Sequence, residues 1–431
     1  MRDEVKSSIP GGRMWLARSL IRRVAPLERA HSVADVRALA RARTPIMAFD
    51  FVDGGADDEV TMRANRSAFE RVAFAPRALV DVADRSMETT VLGTPLSLPV
   101  ILGPTGTPAF QHPQAELAAT RAAHAAGTVL AVSTAGSYAV GEVAAASPGP
   151  LWFQLYQSSD RGLTDHLIDA AIAAGCTALI VTVDCPVGGP RARDLRNGWT
   201  APPRLTQSNM VDALIHPDRL ARWALRFRRG PGVRLANIAA YGGHASTGWI
   251  TAMFDERQTW ERLERIRERW PGALAIKGIM TAADATRSAQ AGVDGIIVSN
   301  HGGRQLDGLP ATLDVLPEIA YALSGSSVEV LIDGGIRRGA DVAKALSLGA
   351  RACLIARPWV WGLGAAGEAG VSRVLAILRA ELDQTLALLG ARSIDQLNRS
   401  FVRYAGAVES ADRAPVRTAL PNPGTNIYSH S

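Results

Sequence analysis

One local pattern occurs eight times between residues 98 and 356, and it constrains the fold more than any other feature. Each copy is a short apolar run followed by a Gly-rich or polar turn, at 99–102, 129–132, 151–155, 178–183, 273–276, 295–298, 328–332 and 352–355. Ala-rich helical patterns lie between the runs, the clearest at 114–126, 162–174, 281–291, 312–323 and 339–348. Apolar strands that alternate with amphipathic helices predict an α/β fold, and eight such units predict a closed (β/α)8 barrel.

Polar side chains stand where these strands are predicted to end. In a barrel of parallel strands the chemistry takes place at the C-terminal strand ends. The residues at these positions are Ser133, Gln154, Thr182, Asp184, Lys277, Ser299, His301 and Asp333. No G-x-G-x-x-G fingerprint is present, which argues against a dinucleotide-binding open sheet.

The segments outside the repeats divide the chain. Residues 1–30 are basic and amphipathic without a secretory signal's apolar core, so we expect a flexible leader or a weak surface anchor. Residues 31–405 form the predicted barrel domain, with a helical cap over 31–75 and a long insertion over 188–258 after the fourth strand. The Pro-rich residues 406–431 are predicted to be an arm or disordered.

The insertion contains a cationic amphipathic pattern. Its apolar positions have the spacing of one helix face and are Leu220, Trp223, Ala224 and Phe227. A flanking stripe is formed by Arg219, Arg222, Arg226 and Arg229. Such a helix binds an anionic membrane or another subunit, or packs on the barrel with its arginines in solvent. The sequence does not separate these alternatives.

Composition limits the possible partners. Lys and Arg total 47 against 41 Asp and Glu, a net charge of +6. This mild excess suits an anionic substrate, a phosphate-bearing cofactor or an anionic membrane, and we expect no nucleic-acid partner. The three cysteines, Cys176, Cys185 and Cys353, lack metal-ligand spacing, so we expect reduced thiols in a cytoplasmic protein and no metal. No apolar run reaches the length of a membrane-spanning helix.

Residues 299–307, Ser-Asn-His-Gly-Gly-Arg-Gln-Leu-Asp, are the most informative segment for function. They follow the sixth apolar run, so they place an imidazole and a guanidinium at one strand end. Arg304 can hold a carboxylate through two hydrogen bonds while His301 removes a proton from the neighbouring atom. A surface turn with both side chains in solvent is the alternative.

In these motifs the sequence resembles the FMN-dependent α-hydroxy acid dehydrogenases and oxidases. Glycolate oxidase, L-lactate dehydrogenase, mandelate dehydrogenase and the flavin domain of flavocytochrome b2 belong to that family. The resemblance spans residues 31–405 and rests on ordered motifs at 104–106, 133–134, 154–156, 182–184, 277–278, 299–307, 333–339 and 357–358. It implies an FMN-binding barrel that oxidises an L-2-hydroxy acid, lactate-like or mandelate-like, to a 2-oxo acid.

The resemblance also implies catalytic roles. His301 corresponds to the family's base, and it removes either the α-proton or the hydroxyl proton. Asp184 stabilises the charged imidazole, and Lys277 stabilises negative charge on the reduced flavin. Arg304 and Arg191 correspond to the two arginines that bind the substrate carboxylate, and Tyr156 to a tyrosine that hydrogen-bonds a substrate oxygen.

The remaining matched residues are implied to hold FMN. The flavin edges would contact Ser133, Gln154, Thr182 and Ser299, and the segment Pro104, Thr105 and Gly106 would run beside the ring. The phosphate would be bound at the usual barrel phosphate site, by Asp333, Gly334, Gly335, Arg337, Ala356 and Arg357.

Four positions depart from the family pattern or divide its members. Phe51 replaces a tyrosine that helps to bind the substrate carboxylate, a loss of about 1–3 kcal/mol for a standard substrate. Ala356 replaces a glycine. Ala135 replaces a bulky residue of short-chain oxidases and widens the pocket. Gly106 is the residue found in membrane dehydrogenases, whereas oxidases tend to have alanine.

Several functions therefore remain open. The first is a 2-hydroxy acid dehydrogenase that passes electrons to a quinone or another carrier, in the cytoplasm or at the inner face of the membrane. A relative that modifies a peptide or natural product, an H₂O₂-forming oxidase and a non-catalytic FMN-binding barrel are the alternatives. The resemblance implies a homo-oligomer, a tetramer.

Overall fold

A computed structural model describes residues 26–198, 206–232, 234–242 and 254–404. Eight parallel strands close into a barrel in the order β7-β8-β1-β2-β3-β4-β5-β6. They are β1 Val100–Leu102, β2 Leu130–Ser133, β3 Leu151–Tyr156, β4 Ala178–Thr182, β5 Ala273–Ile279, β6 Gly295–Val298, β7 Glu329–Ile332 and β8 Ala352–Ile355. The predicted fold class is confirmed, because each of the eight apolar runs forms one of these strands.

Helices surround the barrel, and each of the five predicted helices is present with ends within one residue of the pattern. The surrounding helices are Ala115–Ala125, Val140–Ala145, Arg161–Ala173, Trp260–Arg269, Ala282–Gln290, Thr312–Ala322, Gly339–Ser347, Arg357–Ala366 and Glu368–Leu389. None of the described helices combines the length and the apolar composition needed to cross a membrane.

The strands are apolar throughout because both of their faces are buried. Along β1, Ile101 belongs to the cluster that fills the barrel, whereas Val100 and Leu102 belong to the cluster between strands and helices. Trp152 belongs to the inner cluster too, and its indole Nε1 donates to Thr94 Oγ1 at 3.0 Å. Thr94 lies in a short antiparallel hairpin formed by Thr89–Val91 and Thr94–Leu96.

Three helices cap the barrel ahead of its first strand, as predicted for 31–75. They are Val33–Arg43, Ile46–Asp53 and Val60–Arg71. The third is held by the loop after β6, because both carboxylate oxygens of Asp307 accept main-chain N–H groups at its start, from Val60 at 3.0 Å and Thr61 at 2.7 Å. The strand Val72–Phe74 then pairs antiparallel with Val402–Tyr404, which joins the segment after the cap to the C-terminal end of the described chain.

The insertion after β4 packs on this cap. Its described helices are Ala192–Arg196, Gln207–Ile215, Pro217–Phe227 and Ala236–Ala239. Trp223 and Phe227 stack on one another at 4.9 Å, and both meet Phe110 edge-on, so the predicted apolar face is turned largely toward the protein.

The predicted arginine stripe needs one correction. Arg219 is buried, where its guanidinium bonds Asp212 and the carbonyl of Arg41, so it is no part of an exposed stripe. Most of the predicted leader (1–25) and the predicted tail (406–431) lie outside the described residues.

Glu116, a buried carboxyl in the first turn of the Ala115–Ala125 helix, gives the fold a pH dependence. Burial raises its pKa to about 7, although main-chain N–H groups, including that of Ser137 at 2.7 Å, oppose the shift. The folded protein therefore keeps a proton that the unfolded chain releases near the ordinary glutamate pKa of 4.5. The contribution of Glu116 to stability is therefore greatest below pH 4.5, and it falls by about 3 kcal/mol as the pH rises to about 7.

We expect Glu116→Gln to remove this fall in stability with rising pH, because an amide keeps the acceptor oxygen without a titrating proton. Urea unfolding at pH 5 and pH 8 measures it, with Glu264→Gln at an exposed position as the matched control. The free energy of unfolding of the variant minus that of wild type should be about 3 kcal/mol larger at pH 8 than at pH 5. An equal pH dependence in both proteins would contradict the assignment.

Candidate active site

The predicted site residues lie at one end of the barrel, the C-terminal ends of its strands. Strand register fixes their neighbours: Ser133 on β2 is opposite Gln154 on β3, and Thr182 on β4 is opposite Lys277 on β5. The Ser133 hydroxyl donates to Gln154 Oε1 at 2.9 Å, so register and side-chain contact agree. The barrel thus gathers residues that are far apart in sequence.

An imidazole–carboxylate pair lies between the loops after β4 and β6. His301 Nδ1 is 3.0 Å and 3.2 Å from the two carboxylate oxygens of Asp184. Because a carboxylate only accepts, we assign the proton to Nδ1, which leaves Nε2 free of that proton and able to accept another. His301 has a φ of 57°, a left-handed conformation that side-chain residues adopt at a cost of order 1 kcal/mol.

The charge of Asp184 is stabilised by its surroundings. Burial alone would raise the pKa of this carboxyl, but the positive charges of His301 and Lys277 and hydrogen bonds from His301 and Cys185 hold it below its usual range. Asp184 is therefore ionised at neutral pH and presents a fixed negative charge to the imidazole. That charge favours the imidazolium that forms when His301 accepts a proton.

Sequence reasoning missed the contacts of Cys185. Its Sγ lies 3.2 Å from Asp184 Oδ1 and 3.5 Å from His301 Nδ1. The thiol is buried, and burial and the charge of Asp184 raise its pKa well above the usual value. Its position directly after Asp184 was the available signal. Tyr156 lies close to this thiol, and burial raises the pKa of its phenol far above the usual value.

Lys277 is the buried cation of the site. Its Nζ donates to Ser299 Oγ at 2.8 Å and lies 3.2 Å from Asp333 Oδ2. Burial lowers the pKa of the ammonium, but the negative charges of Asp333 and Asp184 outweigh it and raise the pKa. Lys277 is therefore charged at all physiological pH values.

Two arginines and one aromatic ring form the opening of the site. The guanidinium carbons of Arg191 and Arg304 lie 5.8 Å and 5.5 Å from the centre of the Phe51 ring, within cation–π distance. Arg304 also donates to the carbonyl of Gly54 at 2.9 Å. Burial, and then the positive charges of Arg191 and Arg357, lower the pKa of Arg304 to about 9. Such a desolvated cation among other cations favours an anionic ligand.

A cavity of about 620 Å³ lies beyond the ends of β7 and β8, between the barrel and its cap. Gly335, Arg337, Arg357 and Trp361 contribute to its lining. Arg337 lies 4.7 Å from the Trp361 ring, and burial, followed by the charges of Arg357 and Arg66, lowers its pKa to about 9. This end of the site therefore also favours an anion.

Gly335 fixes the turn that forms this anion-binding end. Its φ is 81°, and a Cβ there would lie 2.1 Å from the carbonyl oxygen of Asn65 in the cap. A larger residue would force the cap away from the turn that carries Arg337.

The guanidinium of Arg357, which is predicted to contact a phosphate, also makes hydrogen bonds within the protein. Its guanidinium donates to the main-chain carbonyls of Val52, Gly54 and Gly302, so it ties the cap and the loop after β6 to the barrel. It is the first residue of the Arg357–Ala366 helix, after Ala356. These bonds use three of the five N–H groups of the guanidinium, so the other N–H groups and the main-chain N–H groups at the helix start can serve the predicted phosphate contact.

Unpaired polar atoms test whether a flavin fits here. Among the described residues, Gln154 Nε2, Thr182 Oγ1 and Asp333 Oδ1 are buried without a hydrogen-bond partner. Three such atoms at the same end of the barrel are costly unless a ligand satisfies them. A flavin ring offers both donors and acceptors at its edge, so the residues fit it. Pro104, Thr105 and Gly106 follow β1 at the same end of the barrel.

Comparisons with known proteins agree with this geometry. The family described as FMN-dependent dehydrogenase matches residues 40–404. The chain belongs to the FMN-dependent dehydrogenase family. It is 42% identical to L-lactate oxidase of Nostoc sp. over 84% of this chain and 95% of that protein. Against (S)-mandelate dehydrogenase of Pseudomonas putida it is 38% identical over 88% of this chain and 95% of that protein.

Solved structures lead to the same family. The chain matches a crystal structure of the monotopic membrane protein (S)-mandelate dehydrogenase with a TM-score of 0.80 and 38% identity. The match covers 87% of this chain and all of the other. This FMN-dependent dehydrogenase is therefore an oxidoreductase of the α-hydroxy acid family, and FMN is its cofactor.

We expect Arg337→Ala to weaken FMN binding by about 10- to 100-fold, because it removes a charge-assisted contact at the anion-binding end. The matched control is Arg351→Ala, since that guanidinium is exposed, pairs with Asp395 at 3.0 Å and does not line the cavity. Quenching of FMN fluorescence on binding to the apoprotein measures both dissociation constants without reference to turnover. Equal affinity in the two variants would contradict the site assigned to the phosphate.

Proposed function

We propose that the enzyme oxidises an L-2-hydroxy acid, lactate-like or mandelate-like, to the 2-oxo acid. The observation that carries this proposal is the loop after β6. Within four residues it presents an imidazole held by Asp184 and the desolvated guanidinium of Arg304. A 2-hydroxy acid has its carboxylate and its reacting carbon adjacent, which suits that spacing.

The residues divide the reaction between them. Arg304 and Arg191 bind the substrate carboxylate and fix its orientation, and Tyr156 donates a hydrogen bond to a substrate oxygen. His301 then accepts a proton at Nε2, and Asp184 stabilises the resulting imidazolium. Lys277 keeps a positive charge beside Asp333 and Ser299. FMN, when bound, supplies the acceptor for the electron pair that leaves the substrate.

Both versions of the proton transfer use the same groups. In one, His301 removes the proton on the α-carbon, and in the other it removes the hydroxyl proton. Each leaves the imidazole protonated beside Asp184. The role proposed for His301 and Asp184 therefore does not depend on which of the two protons is removed.

Phe51 supports an alternative substrate. With no hydroxyl at this position, the carboxylate is held by the two arginines without a third donor from residue 51. The ring instead meets Phe110 edge-on at 6.4 Å, which continues an apolar wall toward Trp223. This wall favours a substrate with a bulky apolar group. It is also consistent with the alternative function, the modification of a peptide or natural product.

The electron acceptor distinguishes a dehydrogenase from an H₂O₂-forming oxidase. Gly106 supports the dehydrogenase, with a quinone or other carrier as acceptor, although the similarity to an L-lactate oxidase supports the alternative. A Cβ at Gly106 would lie 3.2 Å from Ala135 Cβ, closer than most side chains approach one another, so the alanine that oxidases tend to have at this position would crowd Ala135.

We expect His301→Gln to retain FMN and to reduce flavin reduction by at least about 10²–10⁴-fold, because general-base catalysis contributes that much. Anaerobic bleaching of the flavin absorbance is measured with L-lactate, L-mandelate and longer L-2-hydroxy acids. Leu306→Ala, at an exposed side chain of the same loop, is the matched control and should reduce its flavin as wild type does. If none of these acids bleaches the wild-type flavin, the alternative of an unusual substrate is favoured. If His301→Gln is reduced at the normal rate, the assignment of His301 as the base is contradicted. Peroxide formed in air identifies an oxidase.

We also propose peripheral contact with an anionic membrane. On the Gln207–Ile215 helix the large apolar side chains Met210, Val211, Leu214 and Ile215 are exposed, Leu214 by 79%. Exposed Arg222, Arg228 and Arg229 lie in or just after the following helix. Apolar side chains next to cationic ones are the combination that binds the interface of anionic bilayers. A structural relative described as a monotopic membrane protein supports the proposal.

We expect the double variant Leu214→Glu, Ile215→Glu to lose binding to phosphatidylglycerol-containing vesicles by at least about 10-fold, since two apolar contacts become two repulsive charges. Cosedimentation measures it, with vesicles of phosphatidylcholine alone as the neutral reference. Leu388→Glu, also at an exposed leucine (72%), is the matched control and should bind as wild type. Equal binding of the double variant would refute this surface as the contact.

A further inference from the structure

Cys185, Asp184 and His301 form a cluster of three different metal-ligating groups. One ligand atom from each lies within 4.8 Å of the others. The sulfur is 3.2 Å from Asp184 Oδ1 and 3.5 Å from His301 Nδ1, and Nδ1 is 3.0 Å from Asp184 Oδ1. The spacing along the sequence concealed this cluster, because His301 comes from a loop more than a hundred residues away.

These separations match the edges of a tetrahedral metal site. Zn²⁺ has bonds of about 2.3 Å to thiolate and 2.0–2.1 Å to imidazole or carboxylate. In a tetrahedron these bonds place sulfur about 3.5 Å from the other ligands, and nitrogen about 3.3 Å from oxygen. The three atoms lie within a few tenths of an ångström of those values, so a cation requires little rearrangement.

We propose that Cys185, Asp184 and His301 bind a thiophilic divalent cation, of the Zn²⁺ or Cd²⁺ class, and that this binding inhibits the enzyme. Three protein ligands leave the fourth position open for water. The soft thiolate favours these ions over Mg²⁺ or Ca²⁺, which prefer oxygen ligands. The inhibition rests on the proposed role of His301, whereas the binding does not.

Binding exchanges protons for the metal. The cation displaces the thiol proton of Cys185 and the Nδ1 proton of His301, and both protons leave to solvent, while Asp184 is already ionised. No electron is transferred. The ammonium of Lys277 acts on the Asp184 carboxylate and opposes a second positive charge, so affinity should be weaker than in structural zinc sites.

The bound cation acts on the base in two ways. It removes the Asp184 carboxylate from Nδ1, so the imidazolium loses its counter-charge. It also places a positive charge directly on the ring that must accept a proton. Both effects reduce proton transfer, and removal of the cation should restore it. The side chains of His301 and Asp184 are 23% and 13% exposed, so an ion in solution can reach the cluster.

The test titrates the FMN-loaded enzyme with Cd²⁺ and records the cadmium–thiolate charge-transfer absorption, which does not require turnover. We expect one Cd²⁺ per chain, and Zn²⁺ inhibition that a chelator reverses. In Cys185→Ser the absorption should disappear, and the Zn²⁺ concentration for half-inhibition should rise at least about 10-fold, with its own metal-free activity as the reference. Cys176→Ser, another buried cysteine, is the control and should retain both responses.

The outcomes separate the two parts of the inference. Absorption unchanged in Cys185→Ser, or absent in wild type, overturns the metal site. Absorption at Cys185 without inhibition supports the site but overturns the inhibition, and it also argues against His301 as the base. Asp184→Asn supplies a second variant should Cys185→Ser fail to fold. It should weaken Cd²⁺ binding at least about 10-fold, and unchanged binding would remove Asp184 from the ligand set.

Discussion

The loop after β6 is the part of the chain on which the rest of the site depends. His301 bonds Asp184 across the barrel mouth, and Arg304 bonds the carbonyl of Gly54 in the cap. Directly before His301, the side chain of Asn300 exchanges two hydrogen bonds, of 2.8 Å and 3.0 Å, with that of the cap residue Asn65. His301, proposed as the base, Arg304, proposed to bind the carboxylate, and the cap are therefore one connected unit, and displacing any of them displaces the others.

Uncompensated positive charge is the second organising feature. Burial lowers the pKa of Arg304 and Arg337 to about 9 and that of Arg357 to about 10, so the folded chain holds guanidinium groups that solvent no longer stabilises. Anions would restore that stabilisation: by our proposal, a substrate carboxylate near Arg304 and the cofactor phosphate near Arg337. The same desolvation that strengthens ligand binding therefore reduces the stability of the empty protein.

The sequence predicted the barrel because its information is local. A buried parallel strand is apolar throughout, and a polar residue that ends it faces the catalytic side, so both the strands and the positions of Lys277 and Thr182 follow from short windows. Contacts between distant segments have no such signal. The approach of Cys185 to His301 and the exchange of bonds by Asn65 and Asn300 depend on how loops meet, which neither periodicity nor spacing encodes.

The contacts of the insertion could not be predicted from the sequence either, and they reach the Phe51 ring. The pattern over 220–227 predicted a helix with an apolar face, but Trp223 and Phe227 cover Phe110, which in turn meets the Phe51 ring. A tyrosine at 51 would add a hydroxyl donor to the site. The phenyl ring instead lies within cation–π distance of two guanidinium groups without using their N–H donors. Arg304 gives one donor to the carbonyl of Gly54, and Arg191 Nε lies 3.0 Å from Asp194, so the other N–H groups are the ones that can serve a carboxylate. Under the proposed function, substrate selection depends on this aromatic wall, and a change in the insertion should alter specificity while His301 is unchanged.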